Sequence, residues 1–356
     1  MRERVEFRVQ EEHARRFLHP DEGTVLGDPA VHAIFGGPSV RKLVLDVTDP
    51  RYKEVGAIAK RLFEEEDEYF YHGWDIHRSY SAEELKSAEL LEIIPMSWFE
   101  PAGDSCGTVY DYSDSCPLCG SGRVQKSELI LDLRKAPKTR DIAVTIGSEV
   151  IISQRMAEFF ADCNVTGVSL KPVRHKARYQ DDAYALKDYP AGRELLRLGL
   201  EAGCPRPEWS FYVWLNRPEQ AELLAKLDEE RITAAHNRAT KRGSPLPVWY
   251  QVVVESNRVS IDAATEFGVK PFIYDAREDT RCPLGHVLGL SILSELHVAR
   301  STWDGSDFNS TRQLVGVRRG SLVPRPFLLI SQRLFRLLKE HKLKGYKVEV
   351  AHLNRQ

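Results

Sequence analysis

Two five-residue stretches carry the clearest chemistry in this chain. Cys116-Pro-Leu-Cys119-Gly spaces two thiols three positions apart and follows them with a glycine. Two thiolates on a tight turn can point at one ion, so the stretch reads as half of a zinc knuckle. Two sulfurs alone leave a tetrahedron unfinished. Cys282-Pro-Leu-Gly-His286 repeats the opening and adds a thiol and an imidazole. Together Cys116, Cys119, Cys282 and His286 would close a site of three sulfurs and one nitrogen, with no open position and hence a structural rather than catalytic role for the zinc. Two other readings stand beside it: Cys106 joins Cys116 and Cys119 with a nearby histidine, or the cysteines are reduced thiols at a turn with no metal. A redox pair fits less well, because a thioredoxin-like Cys-x-x-Cys opens a helix, whereas the turn-like GSGRVQ follows here.

Other reactive residues give weaker patterns. GDSCG at 103–107 has the outline of a serine nucleophile loop, but no histidine and aspartate setting can be read beside it. His72 and His77 flank Trp74, where strand alternation would separate their faces. The chain contains no phosphate-binding glycine loop, HExxH or nucleophile elbow. WDGSD places Trp303, Asp304 and Asp307 around a glycine turn, and VGVRRG adds Arg318 and Arg319. The plain reading is a solvated turn with local Asp–Arg pairing. The sharper one is a partner-binding surface, since tryptophan and arginine are favoured contact anchors and loops carry function.

What must position these residues is suggested by a repeat. EVIISQRMAEFFADCNVTGVSLKPV and PFLLISQRLFRLLKEHKLKGYKVEV share Ile152/Ile330, Ser153/Ser331, Gln154/Gln332, Arg155/Arg333 and Gly167/Gly345, each 178 positions apart. Each copy begins with a short aliphatic run of strand length. A serine then stands where a helix N-cap belongs. Met156, Phe159, Phe160 and Cys163, and in the other copy Leu334, Leu337 and Leu338, follow at i, i+3, i+4 spacing, the stripe of a short amphipathic helix. The glycine supplies a positive φ at the helix exit, and an alternating strand follows. The expectation is two strand–helix–strand units from an internal duplication. The chain then divides into two α+β lobes, 1–178 and 207–356, with mixed sheets, short helices and a zinc staple, joined by the connector 179–206. Ser81 with Glu84 reads as a capping box, WYQVVV as a strand, and a longer surface helix is expected from Pro218.

At 356 residues two domains are the natural division. A net charge of −2 gives no field to attract a polyanion, which argues against nucleic acid as partner. The charged N-terminus and the lack of any ~18-residue apolar run predict a cytoplasmic protein without a membrane span.

The motif order CPLCGSGRVQ, LILDLRKAPKTRDIA, EVIISQR, FFADCNVTGVSLKPV resembles the double-CXXCG motif paralogues of myxobacteria. The segment from CPLGH through WDGSDFNSTRQ to the second ISQR resembles a C-terminal domain of that kind, with the departure that His286 stands where a cysteine is expected. The strand, ISQR-like helix, glycine and strand also resemble immunity proteins of polymorphic toxin systems. The resemblance implies a non-catalytic protein that binds a polypeptide, a cognate toxin. The alternative is a peptide-binding accessory, or an enzyme, in the maturation of a ribosomal peptide natural product.

Overall fold

The computed structural model describes residues 1–26, 40–99, 102–176, 190–201, 221–223, 225–226, 246–274, 281–316 and 323–354. Arg318 and Arg319, Cys204, most of the 179–206 connector and nearly all of the helix expected from Pro218 lie outside them. The protein is of mixed α+β class. No described helix is long and apolar enough to cross a membrane.

Residues 1–79 form their own sheet and core, although the sequence reading merges them into a larger lobe. Strand β1 (Arg2–Gln10) alternates so that Val5, Phe7 and Val9 are buried. It is followed by α1 (Glu11–Phe17), β2 (Thr24–Leu26), β3 (Val40–Asp46), α2 (Pro50–Glu65) and β4 (Tyr71–Ser79). The antiparallel order β2-β3-β1-β4 makes a βαββαβ unit. Helix α2 starts where the Asp49 carboxylate accepts the Arg51 N–H ahead of a first-turn proline, and buries Val55, Ala59 and Leu62 on one face. The unit docks on the rest of the chain through buried groups. Arg78 binds Glu3 (2.6 Å) and Glu349 (2.9 Å), and Phe272 packs on Phe7 and Tyr52.

Two five-stranded sheets make up the centre. After α3 (Ala82–Ser87), whose capping box is formed by Ser81 and Glu84, come β5 (Leu90–Pro95), β6 (Trp98–Phe99), β7 (Ile142–Thr145), β8 (Val150–Ser153), α4 (Gln154–Asp162), β9 (Val168–Pro172), β10 (Trp249–Val254), β11 (Leu296–Ala299), β12 (Phe308–Ser310), β13 (Leu328–Ser331), α5 (Gln332–Glu340) and β14 (Tyr346–Asn354). The orders are β9-β10-β8-β7-β6 and β11-β14-β5-β13-β12. Each sheet therefore takes one interior strand from the opposite side of the 179–206 connector. β10 lies between β8 and β9, and β5 lies between β13 and β14.

The registers match position by position. Ile151, Ile152 and Ser153 oppose Gln251, Tyr250 and Trp249; Leu329, Ile330 and Ser331 oppose Glu92, Leu91 and Leu90. On the other side Val168 opposes Val254, and Tyr346 opposes Pro95. Strands β7 and β12 occupy equivalent places, so Asp141 corresponds to Asp307 and Ile142 to Phe308.

Every residue of the repeated ISQR has a job in this arrangement. Ile152 and Ile330 are completely buried. The Ser153 and Ser331 hydroxyls accept the N–H of Met156 (3.3 Å) and Leu334 (3.1 Å) and donate to Asp141 (3.0 Å) and Asp307 (2.8 Å). The Gln154 and Gln332 N–H groups bond Val248 and Glu89, the residues just before the exchanged strands. Arg155 reaches the His341 carbonyl at 2.5 Å and Arg333 the Cys163 carbonyl at 2.8 Å, so each arginine caps the end of the other copy's helix. The conserved spacing of the glycines has a steric cause as well as φ values of +88° and +107°. A Cβ on Gly167 would stand 2.1 Å from the Phe308 carbonyl oxygen, and one on Gly345 2.8 Å from that of Ile142.

The two helices and the facing strands share one core. Met156, Phe159, Phe160, Leu334 and Leu338 are buried in it as expected, with Cys163 packed at its margin. Leu337 is only partly buried, while Phe335 lies buried beside Leu334 and Leu338 in the same core as Leu343. Leu338→Ala should cost about 2–5 kcal/mol in urea unfolding and Leu337→Ala clearly less. Asp307→Ala, which strips partners from Ser331, Arg333 and Thr166, should cost about 1–3 kcal/mol. Equal effects at Leu337 and Leu338 would contradict this packing.

Candidate metal centre and cleft

The two cysteine stretches fold as related turns. In the first, the Cys116 N–H donates to Ser121 O (2.8 Å) and the Gly120 N–H to Cys116 O (2.7 Å). In the second, the Cys282 N–H donates to His286 O (3.0 Å) and the Gly285 N–H to Cys282 O (2.8 Å). The glycines have φ of +69° and +77°. The second turn lacks one residue, which brings His286 to the position after the glycine.

The turns meet. The ligand atoms of Cys116, Cys119, Cys282 and His286 all lie within 4.8 Å of one another, and Cys119 Sγ is 3.3 Å from His286 Nδ1. The three cysteines are buried and His286 is 9 % exposed. A tetrahedral zinc with bonds near 2.3 Å to sulfur would set its ligands about 3.8 Å apart, so the set fits a metal ion with small adjustments. The donors also have the right chemistry. The backbone N–H groups of Cys119 and Leu118 lower the pKa of the Cys116 thiol. Burial raises that of Cys119, whose thiolate therefore needs a cation beside it. Burial lowers the His286 pKa and keeps the imidazole neutral, its ligating form. Cys106 is buried at the end of the one-turn helix Gly103–Cys106 and is not a member of the cluster.

The remaining candidates are not assembled into a site. Ser105 bonds the adjacent Asp104. His72 and His77 are exposed at separate points of β4, His77 lying 3.7 Å from Glu6. Asp307 is a correction to the expected contact surface. Its side chain is buried and shared among Ser331, Arg333 (2.5 Å) and Thr166, because it corresponds to Asp141 in holding the helix start. Trp303 packs against the outer core that contains Leu90 and Leu296 and donates its Nε1–H to Ser306 O, while exposed Asp304 accepts from Ser306 N and Ser256 Oγ.

The sequence reading missed a cleft of about 640 Å³ where the two sheets meet. Equivalent positions line it from both sides: Glu92 and Gln251, Val144 and Ser310, Val150 and Leu328. The segments that carry the cysteine–histidine cluster build its walls. The hairpin that carries Cys116 and Cys119, paired through Tyr110 and Gln125, contributes both of those residues and Arg123. Arg123 lies over the Tyr110 ring (4.1 Å) and binds Glu149 (3.2 Å) and the Gly147 carbonyl (2.9 Å); Gln125 pairs with Gln251. On the other side Val287, next to His286, pairs with Val315, which exchanges two backbone hydrogen bonds with Arg325. Arg325 stacks 4.7 Å over exposed Trp98. Glu92 sits deep in the wall, with its accessible surface turned to the cleft. Burial, reinforced by Glu349 opposite it on β14, pushes its pKa up to about 8 against the pull of Lys347, Arg325 and Arg78.

Comparison with protein-family models, curated proteins and solved structures found no match.

Two outcomes follow. Purified protein should carry about one metal per chain, Cys282→Ser should lose it, and a chelator should lower the melting temperature. Unchanged melting after complete metal removal would contradict a stapling role. For Glu92, both folded and unfolded chains hold the proton below the ordinary carboxyl pKa of 4.5. From there to about 8 only the folded chain keeps it, so stability falls as pH rises through that window and levels off above it. Glu92→Gln, which copies Gln251, should flatten the decline in melting temperature between those limits; parallel curves for the two proteins would rule it out.

Proposed function

We propose that the protein is a zinc-stapled, non-catalytic binding protein whose ligand is a polypeptide, of the immunity type that neutralises a cognate toxin by contact. The observation that carries this reading is the cleft between the sheets. It combines apolar walls, an exposed tryptophan and charged groups, and among the described residues neither histidine nor cysteine lines it. Clefts with an aromatic anchor and convergent polar groups are common seats for polypeptide side chains. The resemblance to the double-CXXCG paralogues and to toxin immunity proteins supports the same class.

The finer structural claims belong to this proposal. The matching registers and the reciprocal placement of β5 and β10 support an internal duplication. Zinc is the metal favoured by three thiolates and an imidazole in a closed site, and thiolates held in this way suit a reducing, cytoplasmic compartment. The zinc would be structural: it ties the hairpin wall of the cleft to the opposite wall, fixing its shape before the partner arrives.

The product of the neighbouring gene is the first partner to test. Calorimetry with the metal-loaded protein should give a saturable complex, and Trp98→Ala should weaken it by about 2 kcal/mol or more. No binding, or steady turnover of a substrate in the cleft, would refute the proposal.

A further inference from the structure

Three charged side chains of the cleft make no hydrogen bond or ion pair among the described residues: Glu92, Arg312 and Arg325. The other charged pair there, Arg123 and Glu149, satisfies itself. The unpaired set is thus two guanidiniums and one carboxyl. Burial lowers the pKa of Arg325 against the attraction of nearby Glu92, which marks a cation held partly out of water.

The geometry of Arg325 says what is missing. Its backbone is fixed by two hydrogen bonds to Val315 (2.9 and 3.1 Å), and its guanidinium carbon lies 4.7 Å from the centre of the Trp98 ring. A guanidinium held over an aromatic ring can still present N–H donors to a ligand, and Arg325 spends none of its own on the described residues. A pair of such donors matches the two oxygens of a carboxylate. Ile94, Val254 and Phe327 supply apolar surface around it, as a polypeptide segment requires and a free inorganic anion does not.

We infer that the cleft is a carboxylate-recognition site, in which Arg325, held over Trp98, takes an acidic side chain or C-terminal carboxylate of the bound polypeptide bidentately, with exposed Arg312 adding attraction. Glu92, protonated at neutral pH, can donate a hydrogen bond to the same carboxylate. This deepens the polypeptide-binding reading and rests on it.

The test uses the metal-loaded full chain, ¹⁵N-labelled, titrated with four probes. These are acetyl-Phe-Glu-Phe-amide, its glutamine counterpart, and acetyl-Phe-Phe as free acid and as amide. The acidic member of at least one pair should shift the Trp98 indole and Arg325 Nε signals and bind at least about tenfold tighter than its neutral counterpart. Which pair does so separates a side-chain from a C-terminal carboxylate. Arg325→Gln and Arg325→Lys should each lose about tenfold or more while metal content and melting temperature stay unchanged. Equal binding of acidic and neutral probes, no shift up to about 10 mM, full affinity in the Arg325→Gln or Arg325→Lys protein, or tighter binding of inorganic phosphate than of any peptide would each overturn the inference. A chain that still binds its protein partner under those outcomes keeps the proposed function and loses only this site.

Discussion

Neither half of the chain can finish its own sheet, and the rest of the structure follows from that constraint. Strands β8 and β9 leave a gap that only β10 fills, and β13 and β14 leave one that only β5 fills. An unfilled gap would leave two rows of backbone donors and acceptors unpaired in the interior, each at a cost of ~1–3 kcal/mol. The exchange therefore welds the halves together through ladders rather than side-chain contacts. Helices α4 and α5 then lie with the start of each beside the end of the other, which is why each arginine can serve its own unit's aspartate and the other helix's last carbonyls.

The metal cluster repeats the same logic at longer range. Two cysteines come from one side of the connector, and a cysteine and a histidine from the other. A structural ion at that point would cross-link segments that the sheets alone hold loosely: a two-pair hairpin and a two-pair parallel ladder. These short ladders are too small to be stable unaided. They nevertheless carry Tyr110, Arg123 and, through Val315, Arg325, so an ion there would couple metal occupancy to cleft geometry.

The metal ligands were legible because Cys-Pro-Leu is repeated with glycines that only a tight turn explains. The helix starts were legible because serine, an apolar stripe and a glycine fall at fixed intervals. The exchange was not, because LLEIIP and WYQVVV share no residue at matching positions except apolar character, and pairing between distant strands leaves no local trace. The separate N-terminal sheet was hidden for a similar reason: its strands alternate as any half-buried strand does. WDGSD misled because Asp307 looks like a turn residue beside Asp304, yet its partner is the serine of the second ISQR, 24 positions on. Reading Asp141 as the same feature twelve residues before Ser153 would have exposed it.

The correspondence between the two units also shows where they differ. Positions that hold the units together have matching residues or chemistry: the isoleucines, serines, arginines, aspartates and glycines. Several positions facing the cleft do not. Glu92 stands opposite its counterpart Gln251, Val144 opposite Ser310, and the turn bearing Glu149 opposite the longer segment bearing Arg325. A symmetric cleft would present one chemistry twice and suit a ligand that is itself two-fold. The asymmetry instead places an amide pair, Gln125 and Gln251, on one side, and an ionisable carboxyl near a guanidinium, Glu92 and Arg325, on the other. A directional chain such as a polypeptide has different groups at its two ends, and this is the kind of ligand an unsymmetrical floor on a symmetrical frame can orient.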